Sequence, residues 1–272
     1  MKKISISLLL LTGILSGSLF AETTPSLEKE AGWEFSIAPY LWMAGISGTE
    51  GVVGAGPAAN VDLDFSDVIK KLDIAGMLVG EIRYGKWALV DDFIYIRVSG
   101  DLTLSGPFES RIELNQKSII NTLALSYRVV EVDRIQLDLY GGARLWYVDT
   151  KLTVTPQRDP NVLGGRPILD SRVREPDLSR RVFQDDALWV DPVVGAKLLV
   201  NLGYDFSVMA SGSFGMGASD EDWSLMSTLN YEVNNTIQVM AGYRHIAVDY
   251  QKSGFVYDIE MSGPILGASF QF

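Results

Sequence analysis

From Ile135 to Val148 the chain alternates in side-chain character almost without a break. Ile135, Leu137, Leu139, Gly141, Ala143, Leu145 and Tyr147 share one parity, while Gln136, Asp138, Tyr140, Gly142, Arg144 and Trp146 share the other. A helix cannot sort this pattern onto one face, whereas successive residues of a strand point to opposite faces. Leu188 to Asn201 repeats it, with Leu188, Val190, Pro192, Val194, Ala196, Leu198 and Val200 opposing Trp189, Asp191, Gly195, Lys197 and Asn201. Trp223 to Val233 and Ile74 to Tyr84 do so again. Globular strands usually run to about five or six residues, and these are longer. They match the roughly 9–11 residues that a tilted strand needs to cross a bilayer.

No run of 18 apolar residues follows Ala21, so crossing by helices is not expected. Before it, Lys2 and Lys3, the apolar stretch Ile4 to Leu15 and the small residues Gly17, Ser18 and Ala21 read as a cleaved signal peptide over 1–21. Its loss takes the formal charge from −11 to −13, because two lysines and no acids leave with it. Residues 22–32 are then a short periplasmic segment and 33–272 the barrel. Aromatic residues sit near segment ends. Trp33, Tyr84, Trp87, Tyr127, Tyr231, Phe270 and Phe272 fall near one end; Tyr40, Trp42, Tyr95, Trp146, Tyr147, Tyr250 and Tyr257 fall nearer the other. Two interfacial girdles are the expected arrangement. Gly267, Phe270 and Phe272 in the last strand have the character of an outer-membrane assembly signal, which makes the barrel-assembly machinery an expected partner during insertion.

The connections set the strand count. Gly85-Lys86, Glu131-Val132-Asp133, Gly203-Tyr204 and Asn234-Asn235 are tight and suit periplasmic hairpins. Longer stretches near 47–72, 105–109, 155–186, 218–221 and 252–254 would face outward. The two kinds alternate, and ten antiparallel strands with both termini periplasmic is the consistent count. Eight leaves a segment unused, and twelve requires the 47–72 region to add a hairpin. In that region Val61 to Phe65 alternates briefly, and Ser66 to Leu72 reads as a short extracellular amphipathic helix capped by Ser66. Residues 155–186 carry six arginines against six acids, which suits a solvated loop or contact with lipopolysaccharide phosphates.

Phe35-Ser36-Ile37-Ala38-Pro39-Tyr40-Leu41-Trp42, Asp64-Phe65-Ser66-Asp67, Trp189-Val190-Asp191-Pro192-Val193-Val194-Gly195, Gly242-Tyr243-Arg244-His245 and Ser262-Gly263-Pro264-Ile265-Leu266-Gly267 carry a further likeness. Over most of the mature chain they resemble a group of uncharacterised Gram-negative outer-membrane β-barrel proteins. The resemblance implies fold and location, and brings no activity with it. Residues 155–186 look like an insertion relative to that pattern, and His245 stands where it has a tyrosine.

With the apolar parities facing lipid, the lumen receives Glu81, Arg83, Arg97, Arg128, Asp138, Arg144, Asp191, Lys197, Glu232 and Arg244. Asp258 and Glu260 join them if the last strand shifts parity at Gly263-Pro264. Asp91 and Asp92 cannot both point inward without a similar irregularity. A mixed-charge network of this kind either closes a narrow barrel or lines a small passive channel. Catalytic chemistry has little to work with. There is no cysteine and one histidine, so thiol nucleophiles and histidine-pair metal sites are excluded, and no cofactor is expected. Asp91-Asp92 and His245 with Asp249 supply the residue types of an omptin protease without its local motifs. A lipid A deacylase would want a serine beside the histidine, and Ala247 stands two residues after His245. The net negative charge argues against nucleic acid. The expectation is a monomeric, non-enzymatic barrel in outer-membrane lipid and lipopolysaccharide, with an outer-membrane hydrolase as the alternative.

Overall fold

The structure, a computed structural model, describes residues 32–51, 58–104, 109–157 and 180–272. The expected signal peptide, the segment up to residue 31 and most of the 155–186 loop lie outside these. The elements are β1 (Trp33–Trp42), β2 (Gly45–Gly51), β3 (Ala59–Leu63), α1 (Phe65–Lys71), β4 (Leu72–Tyr84), β5 (Trp87–Leu104), β6 (Glu109–Val132), β7 (Ile135–Gln157), β8 (Arg181–Gly203), β9 (Phe206–Gly215), β10 (Glu221–Glu232), β11 (Ile237–Lys252) and β12 (Phe255–Gln271). β1 and β4 to β12 pair antiparallel in sequence order, and β12 returns to β1, closing a ten-stranded barrel. Closure removes the free sheet edges that hydrocarbon cannot solvate.

The 47–72 region does supply a hairpin, β2–β3, but it adds no strand to the ring, because β2 pairs with β12 and β3 pairs with β2 alone. β1 and β2 are one strand in two pieces. Trp42 pairs with Ile265 and Gly45 with Ser262 in unchanged register. Between them the Met43 amide donates to the Pro264 carbonyl at 2.9 Å, and proline has no N–H to return the bond. The interruption therefore lies in the ladder, and β12 keeps its parity through Gly263-Pro264. On its other side β1 pairs with β4 only as far as Pro39–Leu78, after which β2 takes β3 as its neighbour. α1 leads from that hairpin into β4. Its N-cap is Asp64, not Ser66: the Asp64 carboxylate accepts from the Asp67 amide at 3.0 Å. The helix buries no residue fully, so the expected apolar face is only lightly used.

The girdle at the short-turn end of the barrel is formed by aromatic pairs. Trp33 packs on Tyr84 at 5.0 Å, Trp87 on Tyr127 at 4.7 Å and Phe206 on Tyr231 at 4.9 Å. Outward positions are then mostly apolar for about ten residues along the strands, as in Leu139, Leu145 and Tyr147 of β7 or Leu198, Val194, Val190 and Leu188 of β8. Beyond that height they become polar at Arg97, Lys117, Asp149, Asp186, Asp249 and Glu260. The 24 residues of β6 rise about 60 Å at the usual strand rise and tilt, against a hydrophobic band of about 25 Å. The outer half of the barrel wall thus stands in water.

The barrel interior as the candidate functional site

Inward side chains arrange in layers along the barrel. Nearest the short-turn end, Arg83 donates to Glu81 at 2.9 Å and to Asp138 at 2.6 Å. Arg128 reaches the other Asp138 oxygen at 2.9 Å, and Lys197 donates to Glu81 at 2.6 Å. Two acids and three cations from β4, β6, β7 and β8 make one network, which offsets the desolvation of each member.

Two smaller clusters lie above it. Arg144 is buried and pairs with Asp222 on β10, while donating to Thr122 at 2.9 Å and Ser213 at 2.8 Å. Trp146 gives its indole N–H to the same Asp222 at 3.0 Å. Across the lumen Arg244 donates to Asp92 at 2.5 Å and to the Tyr40 hydroxyl at 2.6 Å, which in turn donates to Asp92 at 2.8 Å. The Arg244 guanidinium also lies 5.4 Å from the Trp42 ring centroid.

The next layer is aromatic. Trp189 stacks on Tyr250 at 4.1 Å and on Trp146 at 5.7 Å, and Tyr257 meets both tryptophans edge-on at 5.9 and 6.3 Å. Ile94, Ile120, Val148, Ile246, Val248 and Ile259 pack around them, each buried. Trp189 of β8 can touch Tyr250 of β11 because the β9–β10 hairpin between them is short. Its tip folds inward onto Asp191, which accepts from the Ala218 and Ser219 amides at 2.7 and 2.9 Å and from the Ser219 hydroxyl at 2.6 Å. Ser219 and Asp222 are buried, while Asp220 and Glu221 between them are exposed.

Above the aromatics, and beyond the membrane band, sits Glu50. Its carboxylate accepts from Thr150 at 2.8 Å and Gln116 at 3.0 Å, with no ion-pair partner among the described residues. Burial raises its pKa above the ordinary glutamate value, against the lowering pull of those two donors. Burial, with Glu50 as neighbour, likewise raises the Tyr257 hydroxyl.

Of the ten charged residues expected in the lumen, Glu81, Arg83, Arg128, Asp138, Arg144, Lys197 and Arg244 take part in these networks. Asp191 faces inward but binds a loop in place of a cation. Glu232 has inward parity and lies exposed at the short-turn rim. Arg97 is a correction: it shares the outward parity of Phe93 and Tyr95, beyond the outer girdle, 3.6 Å from Asp73. Asp258 and Glu260 also face outward, because β12 does not change parity. Burial raises the Asp258 carboxyl, and Asp249, Glu260 and Glu221 add to the shift. Asp91 and Asp92 need no bulge; they simply point to opposite faces. Tyr40, Trp42, Trp146, Tyr250 and Tyr257, expected in the outer girdle, are inside. Their shared parity with Asp138 and Arg144, or with the strands' other inward residues, was the available signal. Gly267 is inward, where an added Cβ would lie 2.6 Å from Met240 and 2.9 Å from Tyr40. Phe270 faces outward beside Ile37 and Ile237, and Phe272 is exposed, its backbone bonded to Phe35.

The residues weighed for proteolysis do not converge. His245 faces outward on β11 and stacks on Trp223 at 4.4 Å, with Nε2 buried and without a partner. Asp249 lies about 13 Å further along the same strand at the usual rise, and Asp91 and Asp92 belong to β5, which does not adjoin β11. Among the described residues no three acidic or histidine side chains are grouped to hold a metal ion.

No family model matches this chain, and no curated protein does. Solved structures do. The outer-membrane protease OmpT from Escherichia coli is 11% identical, with a TM-score of 0.57 covering 92% of this chain and all of that one. The translocator domain of the autotransporter NalP from Neisseria meningitidis is 11% identical, with a TM-score of 0.41 over 90% of each chain. Ail, the attachment invasion locus protein of Yersinia pestis, is 13% identical, with a TM-score of 0.33 over 89% of this chain and 99% of that one. At such identities the likeness to OmpT is one of fold and transfers no active site. The chain is an antiparallel transmembrane β-barrel of the outer-membrane kind, closed by ten strands.

Proposed function

We propose that this protein is a structural outer-membrane barrel with a sealed interior, passing no ions and carrying no catalytic step. The observation that carries the reading is the layer of Trp146, Trp189, Tyr250 and Tyr257, stacked across the lumen from β7, β8, β11 and β12. Stacked aromatics at these separations leave no continuous row of polar groups along which a hydrated ion could move. The charge clusters below them are paired with one another and work as cross-braces between distant strands. The likeness to a protease is one of fold; Ser262 lies across the ladder from His245, but among the described residues no hydrogen bond joins them and the histidine Nε2 has no partner.

The test is a planar-bilayer recording of the purified protein. The wild type is expected to give no steps, while Trp189→Ala combined with Tyr257→Ala gives small ones. Stable conductance in the wild type would overturn the sealed reading in favour of a narrow passive channel. Mass spectrometry of lipid A from cells with and without the protein, together with a peptide-cleavage screen, addresses the hydrolase alternative.

A further inference from the structure

Between the two girdles the outward positions are apolar or small, with an exception on the β4–β7 side. Asp91 points outward four residues beyond Trp87, about 10 Å into the hydrophobic band. Among the described residues it is the one carboxylate facing lipid at that depth. Asn121 of β6, also outward, donates to its Oδ1 at 2.7 Å. That single bond leaves the second Asp91 oxygen, the second Asn121 N–H and the Asn121 carbonyl without a side-chain partner. Hydrocarbon supplies none, which makes polar groups at this depth expensive and a mark of contact with something other than lipid.

The surroundings suit a second protein wall. One row across the sheet reads Gly80, Asp91, Leu123, Ala143. A Cβ built on Gly80 would have nothing within 4 Å, so a notch lies beside the carboxylate. Small residues at such positions let backbones approach closely. Immediately above the notch, β4 from Leu72 to Met77 pairs only with β5, because its ladder with β1 stops at Pro39–Leu78.

We propose that this face, centred on Asp91 and Asn121, is the interface of a homodimer in the membrane. A second copy fits because the unused groups are self-complementary: across a two-fold axis each Asn121 amide can donate to the partner's free Asp91 oxygen, and each notch admits the facing wall. The pair thus forms four hydrogen bonds where two separate monomers form two in total.

The chain has no cysteine, so Leu123→Cys carries the only thiol. Oxidised with copper-phenanthroline in native outer membranes, it is expected to give a disulfide-linked species of twice the chain mass. Leu229→Cys, on β10 and away from this face, is expected to give none. Adding Asp91→Leu and Asn121→Leu to Leu123→Cys should lower the dimer yield about tenfold, the scale of one or two membrane hydrogen bonds. Gly80→Leu, which leaves the polar pair intact and fills only open space, should lower it comparably. Heat-modifiable gel migration verifies that every variant has folded. A folded Leu123→Cys protein that stays monomeric, links to a different protein, links no better than Leu229→Cys, or is indifferent to both sets of substitutions overturns the proposal.

Discussion

Replacing Arg144 with methionine tests whether the interior clusters brace the barrel. Arg144 and Asp222 are almost wholly buried, at 2% and 0% exposure, so water cannot replace either partner. Without Arg144, the Asp222 carboxylate keeps only the Trp146 N–H at 3.0 Å, with Asp191 as a like-charged neighbour. Removing one partner of a buried pair typically costs about 3–5 kcal/mol, most of it for the charge left behind. The Thr122 and Ser213 hydroxyls also lose a donor, but they can rotate, and their share is about 1 kcal/mol or less. Arg144→Met alone should therefore destabilise by about 3–5 kcal/mol. Arg144→Met with Asp222→Asn removes both charges, keeps an acceptor for Trp146, and should cost about 1–2 kcal/mol. The assay is reversible urea unfolding in lipid vesicles, followed by tryptophan fluorescence and gel mobility. A single-variant cost below about 1 kcal/mol, or a double variant equal to the sum of the singles, would refute the bracing argument.

Two further expectations rest on single side chains. Because burial raises the Glu50 pKa above its ordinary 4.5, the folded state favours the neutral acid. The stability linked to it is therefore fully present below the ordinary value and lost as pH rises through the raised one. Thermal resistance should increase on acidification through that window, and Glu50→Gln should be more stable at neutral pH and lose this dependence; a variant that keeps the full pH profile rules the account out. His245→Phe keeps the stack on Trp223 and removes the unpartnered Nε2, so stability should hold or rise by up to about 1 kcal/mol. Lipid A profiles and peptide-cleavage traces should be unchanged by it, and a reproducible activity lost in His245→Phe would show that the histidine works as a base.

What the sequence made legible follows from how many rules act on each residue. The outward parity in the membrane answers to one: hydrocarbon accepts apolar side chains, so Leu139, Leu145, Val190 and Leu198 could be placed from alternation alone. The inward parity accepts both Arg144 and Trp146, and alternation cannot say which layer is charged and which is aromatic. That order is fixed by contacts across the lumen, where Glu50 meets Gln116 and Thr150 at separations of 66 and 100 residues, and Arg244 meets Tyr40 at 204. Arg97 faces outward for a different reason, as do Asp258 and Glu260, whose inward placement depended on a parity shift that β12 does not make. The rule that polar residues point inward holds only while lipid surrounds the wall. Past the outer girdle water lies outside, and β12 inverts with no backbone shift: Phe255, Tyr257 and Ile259 turn inward while Asp258 and Glu260 turn out. The same inversion occurs at Arg97 on β5, Lys117 on β6, Asp149 on β7 and Asp186 on β8, so the height at which alternation changes sign marks the outer edge of the bilayer. Below that edge Asp91, with Asn121 bonded to it, breaks the rule that the surrounding outward residues keep, and for that reason an aspartate on the outer wall carries more information than the ten charges expected inside.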